Sequence, residues 1–198
     1  MGINTASVQR LYVAYFNRPA DPIGLEKFED DLALVTDGVA TQAELLVIAE
    51  KSFSTSAEFK DMYAGLSNAA IVNKLYENIF GREADPAGLK KFAGDLTDGT
   101  HTVGSLALHL SYSAQGTDAT VVAARIDAAT EFTNGLDTTA EIIGYSGLAA
   151  AAEGRAYLAQ ISGELPTDDA TITAEKDAAI TNVDTSIAAA VAAGNGIV

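Results

Sequence analysis

The sequence predicts an all-α fold: a multi-helix domain built from two similar helical units and a C-terminal helical segment. Apolar residues recur at the spacing of amphipathic helices over most of the chain. The chain also repeats itself, because residues 8–32 and 72–96 are identical at 14 of 25 aligned positions. No stretch alternates apolar and polar residues over the length that a strand needs. Each unit therefore spans roughly 60 residues of the same succession of elements.

The first helix of each unit has one apolar face. In the first unit this face is predicted to consist of Val8, Leu11, Tyr12, Tyr15 and Phe16, and the second unit repeats the spacing at Val72, Leu75, Tyr76, Ile79 and Phe80.

An Asp-Pro pair opens the second helix of each unit. Asp21 and Asp85 suit the N-cap position, because a carboxylate there accepts hydrogen bonds from free backbone N–H groups. Pro22 and Pro86 suit the first turn, where the missing N–H costs nothing. This part of the repeated string is predicted to mark a helix start.

A glycine falls in the first turn of each second helix, at Gly24 and Gly88. Glycine inside a helix costs about 1 kcal/mol relative to alanine, so its recurrence suggests that another backbone segment packs against it. The buried stripe of these helices is predicted to be Leu25, Phe28 and Leu32 in the first unit and Leu89, Phe92 and Leu96 in the second.

An Asp-Gly pair ends the second helix in both units, and Thr41 or Thr102 is predicted to cap a third helix. The first unit then adds a short fourth helix over "STSAEFKDMY". The second unit continues instead as a longer helix from about Asp118 to Phe132.

The last third of the chain is rich in alanine and glycine. Its first part is helical in composition but is predicted to be broken at Gly144, Gly147 and Gly154. A loop follows, and one weakly amphipathic helix, capped by Asp168-Asp169, closes the chain with a thin stripe at Ile172, Ile180, Val183, Ile187 and Val191. The expected organisation is a first unit over residues 1–64, a second over 65–134, and a segment over 135–198 that packs on the units or leads to further domains.

The charge and composition exclude several functions. A net charge of −15 repels nucleic acid and anionic lipid, although a bridging divalent cation would reverse the second effect. The absence of cysteine excludes disulfides and thiolate chemistry. No block of lysine or arginine precedes an apolar stretch at the N-terminus, so no signal peptide is predicted, and no segment is apolar enough to predict a transmembrane helix.

The chain has no recognisable catalytic or metal motif. His101 is predicted in a surface turn and His109 on a packed helix face, with neither at ligand spacing from a second histidine. The calcium-loop patterns are missing, so no metal site is expected within this chain. A nucleophile elbow is missing as well, and the chain is predicted not to be an enzyme; paired carboxylates acting on polysaccharide are the open alternative.

Two arginines and four tyrosines are the candidate ligand contacts. Arg18 and Arg82 precede the Asp-Pro pairs and can bind a carboxylate or sugar hydroxyls. The alternative is that each pairs with an acid of its own unit, such as Asp31 or Asp95, and fastens the loop. The tyrosines whose hydroxyls can reach a groove are Tyr15, Tyr112, Tyr145 and Tyr157, with core packing as the alternative.

The repeated string resembles the DUF4214 family. The residues that carry the resemblance are Phe16, Arg18, Ala20, Asp21, Pro22, Gly24, Leu25 and Phe28, followed by the string Ser56-Ala57-Glu58-Phe59. It covers residues 1 to about 115, although the second unit lacks the Ser-Ala-Glu-Phe ending. Residues 131–161 look like the segment that follows such units in bacterial surface-layer (S-layer) proteins.

The resemblance implies the N-terminal module of a larger S-layer protein, similar to the Caulobacter-type anchoring region, with calcium-binding repeats elsewhere and export by type I secretion. The function it implies is non-enzymatic anchoring at the surface of a Gram-negative bacterium, by binding lipopolysaccharide O-antigen or another polysaccharide, with self-association in a lattice. No cofactor is expected in this segment, and calcium would act elsewhere or as a bridging ion. The alternative is a protein–protein interaction or spacer module of a type I-secreted adhesin.

Overall fold

The computed structural model describes residues 2–164 and 167–195. Within those residues it contains twelve α-helices, one π-helical segment and no strand, so the all-α prediction is confirmed. The helices are α1 Thr5–Phe16, α2 Pro22–Ala33, α3 Gln42–Ile48, α4 Ala57–Tyr63, α5 Asn68–Phe80, α6 Pro86–Asp98, α7 Val103–Ser113, α8 Thr117–Gly135, α9 Thr139–Gly144, α10 Gly147–Leu158, α11 Asp169–Thr181 and α12 Val183–Gly194, with the π-helical segment Ala49–Phe53 extending α3.

The helices α1–α4 and α5–α8 follow the same succession. In both units the first helix ends at a residue in the left-handed backbone conformation, Asn17 with φ 52° and Gly81 with φ 63°. Only glycine and asparagine adopt this conformation readily, and it turns the chain towards the second helix. The units differ at their fourth helix, which is short in α4 and long in α8.

The two units share one apolar core. Their first helices, α1 and α5, pack against each other and bury the predicted apolar faces. The predicted stripe of the second helices is buried only in part. Phe28, Leu32 and Phe92 are buried, whereas their three leucine neighbours are half-buried at the edge of the core: Leu25, Leu89 and Leu96.

The C-terminal helices pack on the other face of α8. A second apolar cluster joins α8 to α9–α12, with Phe132 and Tyr157 at its centre, where their rings lie 5.0 Å apart. The thin stripe of the last segment faces this cluster, because Ile172 and Ile187 are buried. The apolar residues of these helices therefore pack against other parts of the same chain.

Two predictions about the C-terminal segment are wrong. The closing helix is two helices, because the Asn182 side chain donates to Ala178 O at 2.9 Å and its backbone leaves the helical conformation. Gly154 does not break α10. It lies in the middle of that helix, where the Tyr145 hydroxyl occupies the space that a β-carbon would need.

Arg125 of α8 joins three helix ends inside the protein. The residue is 2 % exposed. Its guanidinium donates to Ile161 O at 3.0 and 2.8 Å, to Glu77 O at 2.9 Å and to Asn78 O at 2.7 Å. It also donates to Asn17 Oδ1 at 3.2 Å. The C-termini of helices carry partial negative charge, so the cation suits them without a carboxylate partner.

Burial lowers the pKa of Arg125 to about 10, which leaves it charged at neutral pH.

Among the described residues, no helix is both long and apolar enough to cross a membrane.

Replacing Arg125 by methionine is expected to lower the free energy of unfolding by about 3 kcal/mol or more, because several buried oxygens lose their donor. Urea denaturation followed by circular dichroism measures the change. The control is Lys51→Met at an exposed position, which is expected to change stability by about 0.5 kcal/mol or less. Equal effects of the two substitutions would contradict the role given to Arg125.

Candidate functional site

Arg18 closes the first unit by pairing with the start of its fourth helix. Its Nε and Nη2 donate to the two carboxylate oxygens of Glu58 at 2.9 and 2.8 Å, a two-pronged geometry. Its Nη1 donates to Pro19 O at 3.0 Å. Burial is the largest single influence and would lower the pKa of Arg18, but the hydrogen bonds to Glu58 and the electrostatic interactions with Tyr145, Glu58 and Tyr12 together raise it. The arginine therefore fastens the loop between α1 and α2 to α4.

Arg82 forms the same joint in the second unit. Its Nε and Nη2 donate to Asp118 at 2.9 and 2.7 Å, and its Nη1 donates to Glu83 O at 3.0 Å. The hydrogen bonds to Asp118 raise the pKa of Arg82. Both arginines also lie over aromatic rings of the preceding helix: Arg18 is 5.0 Å from the Tyr12 ring centre and Arg82 is 5.3 Å from that of Tyr76.

Each arginine pairs with an acid of its own unit, but the acids suggested from the sequence are not the partners. Asp31 binds Lys27 at 2.6 Å and Asp95 binds Lys91 at 2.5 Å, one helical turn away in both cases. These carboxylates lie on the second helix, whereas each arginine faces the N-terminus of the fourth. The string Ser-Ala-Glu-Phe indicates the partner of Arg18, because it places Glu58 in the first turn of α4.

A tyrosine hydroxyl explains the glycine of the repeated string. A β-carbon on Gly24 would meet the hydroxyl of Tyr12, and one on Gly88 would meet the hydroxyl of Tyr76. The sequence suggested a neighbouring backbone segment, and this expectation is wrong. The close approach comes from the side chain of the first helix, which lies across the first turn of the second.

The four residues proposed as helix caps all occupy N-cap positions. The Asp21 carboxylate accepts from Gly24 N at 2.7 Å, and the Asp85 carboxylate accepts from Gly88 N at 2.9 Å. Thr41 and Thr102 cap α3 and α7, and each exchanges hydrogen bonds with the residue three positions later.

The first joint also receives an arginine from the C-terminal segment. Arg155 of α10 donates to Glu58 Oε1 at 3.2 Å, so this carboxylate serves two cations. Among the ion pairs of the described residues, Asp118 has only Arg82. One difference between the two joints is therefore that α10 lies against the first.

Three depressions of about 190, 170 and 250 Å³ adjoin at this joint, and we refer to them together as the Arg18 groove. Arg18 lines the first two, and Glu58 lines the first and third. The first has a floor of aromatic rings and a polar rim, formed by Tyr12, Phe16, Phe28 and Phe53 and by Arg18, Ser52, Ser56 and Glu58. The third continues the polar rim with Asp61, Lys74 and Arg155.

Three of the four tyrosines proposed to contact a ligand are interior residues. Tyr15, Tyr145 and Tyr157 are 0 %, 4 % and 1 % exposed, and of these three Tyr145 lines the second depression of the Arg18 groove. The Tyr145 hydroxyl donates to Pro19 O at 3.1 Å and the Tyr157 hydroxyl to Ala128 O at 3.2 Å. Tyr112 is 39 % exposed, but the Arg10 guanidinium covers its ring at 4.5 Å.

The two histidines lie together, which the sequence spacing did not predict. The rings of His101 and His109 are 5.1 Å apart, because His101 precedes α7 in a turn that folds back against Asp95. Burial, and then the charge of His101, lower the pKa of His109. Over residues 2–164 and 167–195, no group of three or more histidine or acidic side chains is placed to hold a metal ion.

The family model "Domain of unknown function (DUF4214)" matches residues 49–117. The chain therefore contains a DUF4214 domain, which begins in the π-helical segment and ends at the start of α8. The match excludes residues 1–48, where the resemblance of the first unit begins. No curated protein and no solved structure matches the chain.

The pair of Arg18 and Glu58 is expected to contribute measurably to stability, since their side chains are only 13 % and 16 % exposed. A double-mutant cycle with Arg18→Met and Glu58→Gln should give a coupling free energy of about 1–3 kcal/mol. The matched control is the exposed pair of Lys27 and Asp31, for which Lys27→Met and Asp31→Asn should give about 0.5 kcal/mol or less. Similar coupling in both cycles would contradict a structural role for the joint.

Gly24→Ala is expected to destabilise the protein by about 1–3 kcal/mol, because the new methyl group meets the Tyr12 hydroxyl. Tyr12→Phe in the same chain should restore part of the loss. The control is Gly94→Ala in α6, where no atom lies within 4 Å of the position that the new methyl group would take. That change should stabilise by about 0.5–1 kcal/mol, since alanine favours the helix. Thermal melts of the four proteins decide between these outcomes.

Proposed function

We propose that this chain is a non-enzymatic binding module that attaches a larger secreted protein to the bacterial cell surface by holding polysaccharide in the Arg18 groove. The groove is the observation that supports this proposal. It presents guanidinium, carboxylate and hydroxyl groups around a floor of nearly buried aromatic rings, and these polar groups are the ones that a ligand with many hydroxyls requires.

The charges of the groove favour a polyhydroxylated ligand over a strongly charged one. Arg18, Arg155 and Lys74 balance Asp21, Glu58 and Asp61 along its rim, whereas the whole chain carries −15. Because the rim charges balance, a neutral or weakly charged glycan would meet no net repulsion in the groove and would not have to release a counter-ion in order to bind.

Hydrogen-bonding capacity remains in the groove after the joint has formed. Among the described residues, Arg18 uses three of its five N–H groups. The hydroxyls of Ser52 and Ser56 line the same depression. The Ser56 hydroxyl accepts from Phe59 N at 3.1 Å and can still donate. Sugar hydroxyls can therefore bind without breaking the pair of Arg18 and Glu58.

The cell-surface setting rests on the resemblance to S-layer anchoring regions, and lipopolysaccharide O-antigen is the polysaccharide that it implies. Such a protein would be exported by type I secretion and assembled in a lattice. A lattice makes many weak contacts act together, so modest affinity of one module is sufficient. Calcium would act as a bridging ion between this acidic chain and anionic lipopolysaccharide, or elsewhere in the protein.

A second candidate is a protein–protein interaction module of a secreted adhesin. The observation in its favour lies between α2 and α3, where Leu34, Val35 and Val39 are 84 %, 57 % and 65 % exposed. Exposed apolar side chains grouped in one loop are typical of contact surfaces. The stripe of α11 and α12 does not serve this purpose, because it faces the second core cluster.

The test is cosedimentation of the purified chain with lipopolysaccharide from the producing bacterium, with and without calcium. Arg155→Met should weaken binding about tenfold, which corresponds to roughly 1.4 kcal/mol, because it removes a rim donor and leaves the pair of Arg18 and Glu58 intact. Arg10→Met, an arginine outside the groove that covers Tyr112, should leave binding unchanged.

Failure to associate under either condition would exclude lipopolysaccharide as the ligand. Loss of binding with Arg10→Met alone would move the site away from the groove. Concentration-dependent self-association that is abolished by Leu34→Ser would favour the second candidate.

A further inference from the structure

His101 and His109 are the chain's two histidines, and the fold brings them to one place on the second unit. His101 lies in the turn before α7, and His109 lies two turns along that helix. Both rings are half-buried and keep access to solvent. Neither takes part in the Arg18 groove or in the Arg82 joint.

The first unit has no counterpart of this pair. Aligning Thr41 with Thr102 places Ala40 opposite His101 and Ile48 opposite His109, and both of these residues are buried in the core. The two aligned positions are therefore apolar core residues in the first unit and histidines in the second.

We propose that His101 and His109 together bind one transition-metal ion of the kind that prefers imidazole nitrogen, such as Zn²⁺, Ni²⁺ or Cu²⁺. A metal–nitrogen bond of about 2.1 Å places the ion about 3.2 Å from each ring centre, so two imidazoles at a tetrahedral angle have ring centres about 5.2 Å apart. The observed separation is 5.1 Å.

The hydrogen bonds around His101 leave one nitrogen free for a metal. The Ser105 hydroxyl donates to Thr102 O at 3.2 Å and accepts from Thr102 N at 2.9 Å. A metal ion bound at Nε2 would select the tautomer in which His101 Nδ1 carries the proton and donates to this hydroxyl, 3.1 Å away. The lone pair then lies on Nε2. A hydroxyl that orients a ligating imidazole in this way is a usual outer-shell arrangement.

The surroundings of His109 keep it in the neutral form that binds metals. Its pKa is lowered by burial, by the neighbouring His101 and by Lys91. The carboxylate of Asp95, which opposes this shift, is engaged with Lys91 Nζ at 2.5 Å. Water molecules therefore complete the coordination sphere, and two protein ligands make this a site of modest affinity.

The site should discriminate between classes of cation. Imidazole suits Zn²⁺, Ni²⁺ and Cu²⁺, whereas Mg²⁺ and Ca²⁺ prefer oxygen ligands. The many carboxylates of the chain would bind Ca²⁺ as readily as they bind these transition-metal ions. The preference for transition-metal ions therefore distinguishes the histidine pair from the carboxylates.

The experiment is calorimetric titration of the full chain with Zn²⁺ and Ni²⁺ at pH 7.5, with excess Ca²⁺ present to occupy carboxylates. One ion per chain is expected, and His101→Ala and His109→Ala should each weaken binding at least tenfold. Lys91→Ala, a change beside the pair that keeps both imidazoles, should leave the affinity equal or higher. Binding should weaken as the pH is lowered, because an imidazole nitrogen binds a metal ion only in its unprotonated form.

Paramagnetic Ni²⁺ provides a second readout that does not depend on affinity. The ring-proton signals of both histidines should broaden together at substoichiometric Ni²⁺ in NMR spectra. Broadening of one ring only, or Zn²⁺ binding that survives both histidine substitutions, would overturn the proposal. Neither result would bear on polysaccharide binding, which is measured with different variants.

Discussion

The pairing of one half-buried arginine with one carboxylate across roughly 40 residues organises each unit of this protein. Arg18 reaches Glu58 and Arg82 reaches Asp118, and in both units the arginine follows the first helix while the acid begins the fourth. The pair fixes the loop that carries the Asp-Pro cap, and the loop in turn sets where the second helix starts. Both pairs also cross a border of the matched family domain, because residues 49–117 contain Glu58 and Arg82 but neither of their partners. The joints therefore link this domain to the parts of the chain that precede and follow it.

Arg125 has the corresponding role for the chain as a whole. It binds the ends of α1, α5 and α10, which belong to the first unit, the second unit and the C-terminal segment. Because the donors of one side chain serve all three, these parts cannot shift independently without leaving buried oxygens unpaired. Glu58, which binds Arg155 as well as Arg18, adds a second link between the first unit and α10. These contacts consequently hold the Arg18 groove in place, and under the proposed function this preorganisation would lower the entropic cost of binding polysaccharide.

Local features were predictable from the sequence, and long-range partners were not. The caps Asp21 and Thr41 depend on backbone groups within one turn, so residue type and spacing were sufficient. The partner of Arg18 lies 40 residues away, where twenty-seven acids compete and helical spacing gives no guidance. The prediction of ligand-contacting tyrosines was unreliable for a related reason. Amphipathic spacing identifies the buried face of a helix, but it does not show which tyrosine hydroxyl donates to an acceptor inside the protein. The break at Asn182 depends on a side chain bonding to its own helix, which composition does not reveal.

The difference between the two units at the groove follows from one extra residue. Ser52 precedes Glu58 by six positions, whereas the aligned Ser113 precedes Asp118 by five. The first unit accommodates the additional residue as a π-helical turn, in which Ser54 N donates to Ala49 O at 3.0 Å. That turn delivers Phe53 against Phe28 and Phe16, with ring centres 4.7 and 5.2 Å away, while the aligned residue of the second unit is Ala114. Tyr12, Phe16 and Phe28 of the floor have aromatic counterparts in the second unit at Tyr76, Phe80 and Phe92, so the floors differ through Phe53 and the π-helical turn that carries it. Two similar units therefore present different surfaces at their joints.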